Sequence, residues 1–128
     1  DPLALVSKVP LFQSLSPDKI RSIASLLKPE LVIPGEVICR RGDVGNSMYF
    51  VSSGAIAVQL LEGSVMLGSG DFFGEIALVK HTTRTANVVA ESFSDLLTLE
   101  RFDFEKLLNA SPDLKRTIEK VAEERMRD

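Results

Sequence analysis

The chain has 128 residues, 45% of them hydrophobic and 26% charged, a composition that excludes a disordered tail and fits one globular domain over residues 1–128. With 15 Lys and Arg against 18 Asp and Glu, the formal charge of -3 excludes a broad electrostatic grip on a nucleic-acid backbone. No apolar run approaches the length of a membrane span, so no direct membrane insertion is expected, and from the start Asp1-Pro2-Leu3, without a basic leader or initiator Met, the chain is expected to be a soluble fragment of something longer.

Residues 1–28 are predicted to be helical. Ser16 followed by Pro17 and Asp18 is a helix start, with a capping hydroxyl, a proline tolerated in the first turn and an acid at the positive end of the dipole. Ile20, Ile23, Ala24 and Leu27 then form one apolar face.

All eight glycines lie between Gly35 and Gly74, and that stretch is the start of the β region, predicted over 29–101. Between turns at Pro34-Gly35, Gly42-Asp43, Gly45-Asn46 and Glu62-Gly63 lie short runs rich in β-branched and aromatic residues: Leu31–Ile33, Val37–Cys39, Met48–Val51, Ala55–Val58 and Val65–Leu67. Two further strands, Arg84–Ala90 and Asp95–Leu99, bring the count to roughly eight, the number of a jelly roll. The single Cys39 cannot form an internal disulfide, and with only His81 beside it in the inventory the chain lacks the ligands of a zinc site. Nothing local in the sequence links the two as a nucleophilic pair, which leaves a buried thiol and a surface imidazole.

The densest signal is Gly70-Asp71-Phe72-Phe73-Gly74-Glu75-Ile76-Ala77-Leu78-Val79, followed by Arg84-Thr85-Ala86. Gly74 lets the chain turn into a short helix whose first amides are unpaired and attract anions. Arg84, returning across the polar loop Lys80–Thr83, offers a planar fork of donors to phosphate oxygens. Glu75 then suits a hydroxyl donor, as acids do for ribose elsewhere, or else it only complements the helix dipole while Arg84 makes a surface ion pair.

Residues 102–128 are predicted to return to helix. Phe104, Leu107 and Leu108 form a short amphipathic turn, and Ser111-Pro112-Asp113 repeats the start signal for a terminal helix. Along it Leu114, Ile118, Val121 and Ala122 make an apolar stripe whose next position is Arg125. That guanidinium is either a snorkelling helix end or a cation aimed back at the β block. With nothing after it to bury against, it is expected to have no partner in the absence of ligand.

The run Phe73–Val79, then Arg84-Thr85-Ala86-Asn87-Val88, resembles the phosphate-binding cassette, here residues 73–86, of the cyclic nucleotide-binding domain family. The upstream run Pro34–Gly42, with Gly45, Met48, Phe50 and Gly54, is similar to the channel branch of that family. The resemblance implies a mainly β fold with flanking helices: an eight-stranded jelly-roll-like β-roll, an N-terminal helix and a C-terminal lid helix. It implies that Gly74, Ile76 and Ala77 meet the cyclic phosphate, that Glu75 accepts from the ribose 2′-hydroxyl, and that Arg84 is the phosphate counter-ion. Thr85 would add a hydroxyl to the phosphate and a contact to guanine. Val58, Val65 and Leu67 would sandwich the base and Arg125 would cap the purine. Where some bacterial channels carry an adenine-facing arginine, this chain has Glu119, and Arg125 is favoured because it lies on the apolar stripe. His81 and Thr83 depart from the glycine and proline frequent in the family.

The function implied is a cytoplasmic regulatory domain of a membrane protein that binds cAMP or cGMP and couples binding to gating of a potassium channel through its flanking helices. No catalytic residue, cofactor or metal is implied. The implied partners are the cyclic nucleotide and the transmembrane portion of the parent channel, with a tetramer in the full-length channel and a monomer as the isolated domain. The rival is the ligand-binding domain of a transcription regulator of the catabolite activator type, against which the acidic charge argues.

Overall fold

The computed structural model describes residues 2–127. Helix α1 (Pro2–Lys8), a 3-10 turn at Pro10–Phe12 and α2 (Pro17–Leu26) precede eight strands: β1 (Lys28–Val32), β2 (Val37–Cys39), β3 (Ser47–Ser53), β4 (Ile56–Gln59), β5 (Ser64–Leu67), β6 (Phe72–Phe73), β7 (Asn87–Ala90) and β8 (Ser94–Glu100). A six-residue helix, α3 (Glu75–Lys80), interrupts them between β6 and β7, and α4 (Arg101–Ala110) and α5 (Pro112–Met126) follow. The strands form two antiparallel four-stranded sheets, ordered β1-β8-β3-β6 and β2-β7-β4-β5, a β-roll with helices on one side. Among the described residues no helix is long and apolar enough to cross a membrane.

The central strands β3 and β8 of the first sheet bury side chains on both faces, while the edge strand β1 is mostly exposed. Met48, Phe50, Leu97 and Leu99 face the helices and pack with Phe12, Ile23, Phe104, Leu114 and Ile118. Val51 and Leu96 point the other way and join Cys39, Ile56, Phe73, Val88 and Ala90 between the sheets. Removing such apolar surface from water, worth about 25 cal/mol for each Å², is what holds the layers together.

Several element boundaries differ from the sequence reading. The first strand begins at Lys28 rather than Leu31, because β1 is an edge strand and tolerates Pro29. Of Arg84–Ala90 only Asn87–Ala90 joins the ladder; Arg84 is instead held by the loop before β3, with its N–H on the Asp43 carbonyl at 2.7 Å and its carbonyl on the Gly42 N–H at 2.9 Å. The two-residue β6 was not legible, and the expected turn around Phe104 is a ten-residue helix. Ser16 caps α2 as expected, its Oγ accepting from the Lys19 N–H at 3.3 Å. Ser111 does not cap α5: its hydroxyl accepts from Lys19 Nζ at 2.9 Å, so a tertiary partner replaces the local one.

Candidate functional site

Gly74 lies between β6 and α3 with φ of 88°, the left-handed conformation that glycine adopts without steric cost. A Cβ there would also stand 2.9 Å from Arg84 Nη1 and 3.2 Å from the Ser47 carbonyl oxygen, so conformation and close approach both demand glycine. This turn delivers the first amides of α3 to a cavity of about 360 Å³ on the inner face of the second sheet.

Arg84 is 8% exposed. Its Nη1 donates to the Gly74 carbonyl at 3.0 Å and its Nη2 to Ser47 Oγ at 3.5 Å, while its guanidinium carbon stands 5.7 Å from the centre of the Tyr49 ring. Ser47 Oγ in turn donates to Tyr49 Oη at 3.1 Å. Among the described residues no carboxylate forms an ion pair with Arg84. A buried cation satisfied only by neutral oxygens keeps its charge for an anion in the cavity.

Glu75 is 1% exposed, although it opens a helix. Its Oε1 accepts from Arg125 Nη1 at 2.8 Å, and its Oε2 is buried with no hydrogen-bond partner among the described residues. Burial pushes the Glu75 carboxyl above its ordinary value, opposed first by the Arg125 charge, then by its hydrogen bonds and more weakly by Arg84. The orphaned oxygen is an acceptor that the fold itself leaves unmet.

Arg125 corrects one expectation. The guanidinium has partners without any ligand: besides Glu75 it donates to the Phe72 carbonyl at 2.8 Å, and its carbon lies 4.8 Å from the centre of the Phe72 ring. A second link, the Lys80–Glu123 ion pair, also joins α3 to α5, and its hydrogen bond lowers the Glu123 carboxyl below its ordinary value. The terminal helix is therefore tied to α3 at two points.

All ten residues singled out from the sequence line this one cavity: Gly74, Glu75, Ile76, Ala77, Arg84 and Thr85 on one side, Val58, Val65 and Leu67 on the sheet, and Arg125 from α5. Val58 pairs with Val65 on β5 and Val88 on β7, which makes an apolar floor. Glu119 does not line the cavity, so of the two candidates on α5 only Arg125 reaches it. Cys39 lies in the core between the sheets, where burial pushes its thiol up, while His81 is exposed at the end of α3; the two are not hydrogen-bonded. Among the described residues no three His, Cys, Asp or Glu side chains cluster as metal ligands.

Sequence reasoning missed Arg41, Leu61 and Met126 at the cavity wall, and Arg101 behind it. Arg101 did leave a signal, since a cation at the first position of a helix runs against the dipole and is better explained by a partner elsewhere.

The architecture is a β-roll closed by helices, with a short helix and a buried arginine converging on one pocket. Residues 30–111 match the profile of the cyclic nucleotide-binding domain, and the chain belongs to that family. It is 43% identical over 121 residues to a cyclic nucleotide-gated potassium channel of Rhizobium etli, covering 94% of this chain and 34% of the channel. The chain thus spans about a third of that relative's length. The regulatory domain of Toxoplasma gondii PKA, solved with cAMP, superposes with a TM-score of 0.87 at 26% identity, over 95% of this chain and 48% of that one. The Thermus thermophilus catabolite activator protein superposes with a TM-score of 0.80 at 31% identity, over 92% of this chain and 58% of that one.

Proposed function

We propose that this chain binds cAMP or cGMP in the cavity beneath α5 and serves as the cytoplasmic regulatory domain of a potassium channel. The observation that carries the ligand reading is Glu75, buried to 1% exposure with one oxygen on Arg125 and the other unmet, beside the unpaired charge of Arg84. A phosphodiester needs one cation and a set of amides; a ribose needs one buried acceptor. Arg84, with the Gly74, Ile76 and Ala77 backbone, supplies the first set, Thr85 adds a hydroxyl, and Glu75 Oε2 supplies the second. Val58, Val65 and Leu67 would present an apolar face to the base, and the Arg125 guanidinium would stack on its other side.

The channel reading is supported by the 43% identity to the Rhizobium channel, against 31% to the catabolite activator protein. Residues 1–128 then act as one domain that switches rather than catalyses, a tetramer within the full-length channel and a monomer alone. Ligand would favour the arrangement in which α5 closes on the cavity, and α1, α2 and α4 would pass that preference to the membrane portion. A ligand preferring one state by a few kcal/mol suffices for such a switch.

Calorimetric titration of the chain with cAMP, cGMP and 5′-AMP tests the ligand reading. Saturable one-to-one binding of a cyclic nucleotide, with 5′-AMP much weaker, is expected; no binding of either cyclic nucleotide overturns it. Currents from a full-length parent channel, measured with and without the nucleotide, test the coupling.

A further inference from the structure

We propose that Arg101, the first residue of α4, is a positioning residue for the ligand site: it lines no part of the cavity, yet it fixes where α3 and Arg84 stand relative to one another. The inference rests on the cyclic-nucleotide reading of that site.

The guanidinium makes an unusual set of contacts. Its Nη2 donates to the Gly45 carbonyl at 2.8 Å and the Ala77 carbonyl at 3.2 Å, its Nη1 to the Leu78 carbonyl at 3.4 Å, and its Nε to Asn46 Oδ1 at 3.4 Å. Its Nη1 also stands 3.4 Å from His81 Nδ1. The backbone repeats the link, with the Arg101 N–H on the Asn46 carbonyl at 2.8 Å. The Glu105 carboxylate, one turn along α4 at 3.6 Å and half exposed, accounts for none of these contacts and as an exposed pair contributes little.

Two features of α3 make the contacts matter. The helix has only six residues and ends at His81 with φ of 53°, so its last carbonyls have few helical partners, and a cation placed on them completes the dipole. Its other end carries Gly74 and the amides aimed at the phosphate, so anchoring the carbonyl end sets the position of the amide end in so short a rod.

The second feature is the spacing to Arg84. A Cβ at Gly45 would stand 2.7 Å from Ala77 Cβ and 2.8 Å from Arg84 Cζ, which means that the 45–46 loop, α3 and Arg84 are in direct contact. A single guanidinium bonded to both the Gly45 and the Ala77 carbonyls therefore clamps α3 onto the loop that backs Arg84. Lysine, a point charge without a fork, can hold one of these acceptors but not the set.

The test compares Arg101→Ala and Arg101→Lys with the unaltered chain, using cAMP as probe, with affinity from calorimetry and the phosphorus NMR shift of the saturated complex. Loss of about tenfold or more in affinity is expected for Arg101→Ala, with a moved phosphorus resonance and partial recovery of both in Arg101→Lys. Affinity within twofold of the unaltered chain, or a lowered affinity with an unmoved resonance, overturns the inference, because loss of general stability leaves the bound phosphate where it was. If Arg101→Ala fails to fold, Arg101→Lys alone still decides by the same two readings. A chain that binds no cyclic nucleotide overturns the ligand reading; the clamp is then judged by amide exchange, which should quicken over Glu75–Thr83 in the folded variant and refutes the clamp if unchanged.

Discussion

Arg84, at the inner end of the cavity, is 8% exposed and hydrogen-bonded only to neutral oxygens, whereas Arg125, reaching in from α5, has a side chain 34% exposed and an ion pair with the buried Glu75. One charge is built into the roll and has no counter-ion among the described residues; the other arrives on a separate element and is neutralised where it lands. The floor of the site is thus organised before any ligand enters, because Gly74, Ser47 and Tyr49 hold Arg84 in place. The proposed lid depends on contacts near the end of one helix, where Arg125 is held by Glu75 and the Phe72 carbonyl. Affinity is expected to reside mainly in the floor and conformational response mainly in the lid.

The sharpest way to break this contrast is Arg84→Ala. Removing the unpaired cation should weaken cAMP binding by about 2–5 kcal/mol while far-ultraviolet circular dichroism stays unchanged. A folded variant with unaltered affinity would place the phosphate elsewhere.

Arg125→Ala should act first on stability, by about 1.5–3 kcal/mol at neutral pH, because it strips a buried carboxylate of its charged hydrogen-bond partner. The pH dependence has a definite sign. Burial already raises the Glu75 carboxyl above its ordinary value, so the folded state takes up a proton more readily than the unfolded chain and gains stability as the pH falls through that raised value. Without Arg125 the carboxyl rises further, so thermal melts should show the gap between variant and unaltered chain closing as the pH is lowered from neutral. A gap independent of pH would mean that the ion pair contributes nothing.

Glu75→Gln should cost less, about 1–2 kcal/mol in cAMP affinity, since an amide oxygen still accepts from the ribose hydroxyl. A 2′-deoxy ligand should be nearly blind to the change, and equal losses with both ligands would remove Glu75 from the ribose. Thr85→Ala should separate the nucleotides, with cGMP losing about 1 kcal/mol more than cAMP, because only guanine carries a 2-amino donor, which points toward that hydroxyl when the base turns over the ribose. Identical losses would confine Thr85 to the phosphate.

The smallest effect is expected from Lys80→Ala, which breaks the exposed second link between α3 and α5. Because Lys80 lowers the Glu123 carboxyl, that link stabilises the fold above the ordinary carboxylate range and is lost as the pH falls through the lowered value. Its contribution should also fade with added salt, and a melting temperature insensitive to salt in both forms would show that it holds nothing.

The sequence by itself determined the β region, because turn glycines and β-branched runs alternate at strand spacing, whereas the residues alone left the roles of Gly74, Glu75 and Arg84 open and the family resemblance marked them as a cassette. It also placed Arg125 on the inward stripe of α5, since helical periodicity carries a face forward even past the last core residue. Its partners were not legible: Glu75 and Phe72 stand about fifty residues earlier, and only the packing of α5 on α3 brings them within 2.8 Å. The same holds for Ser111, whose local capping signal yielded to Lys19 from α2, and for β6, two residues too short to show a period and recognisable only by pairing with Tyr49 and Phe50. Arg101 is the extreme case, a helix-start cation whose acceptors at Gly45, Ala77 and Leu78 belong to two other segments. Periodicity and turn chemistry act over a few residues and can be read along the chain, whereas a buried charge finds its partners through space, and only the folded arrangement decides which they are.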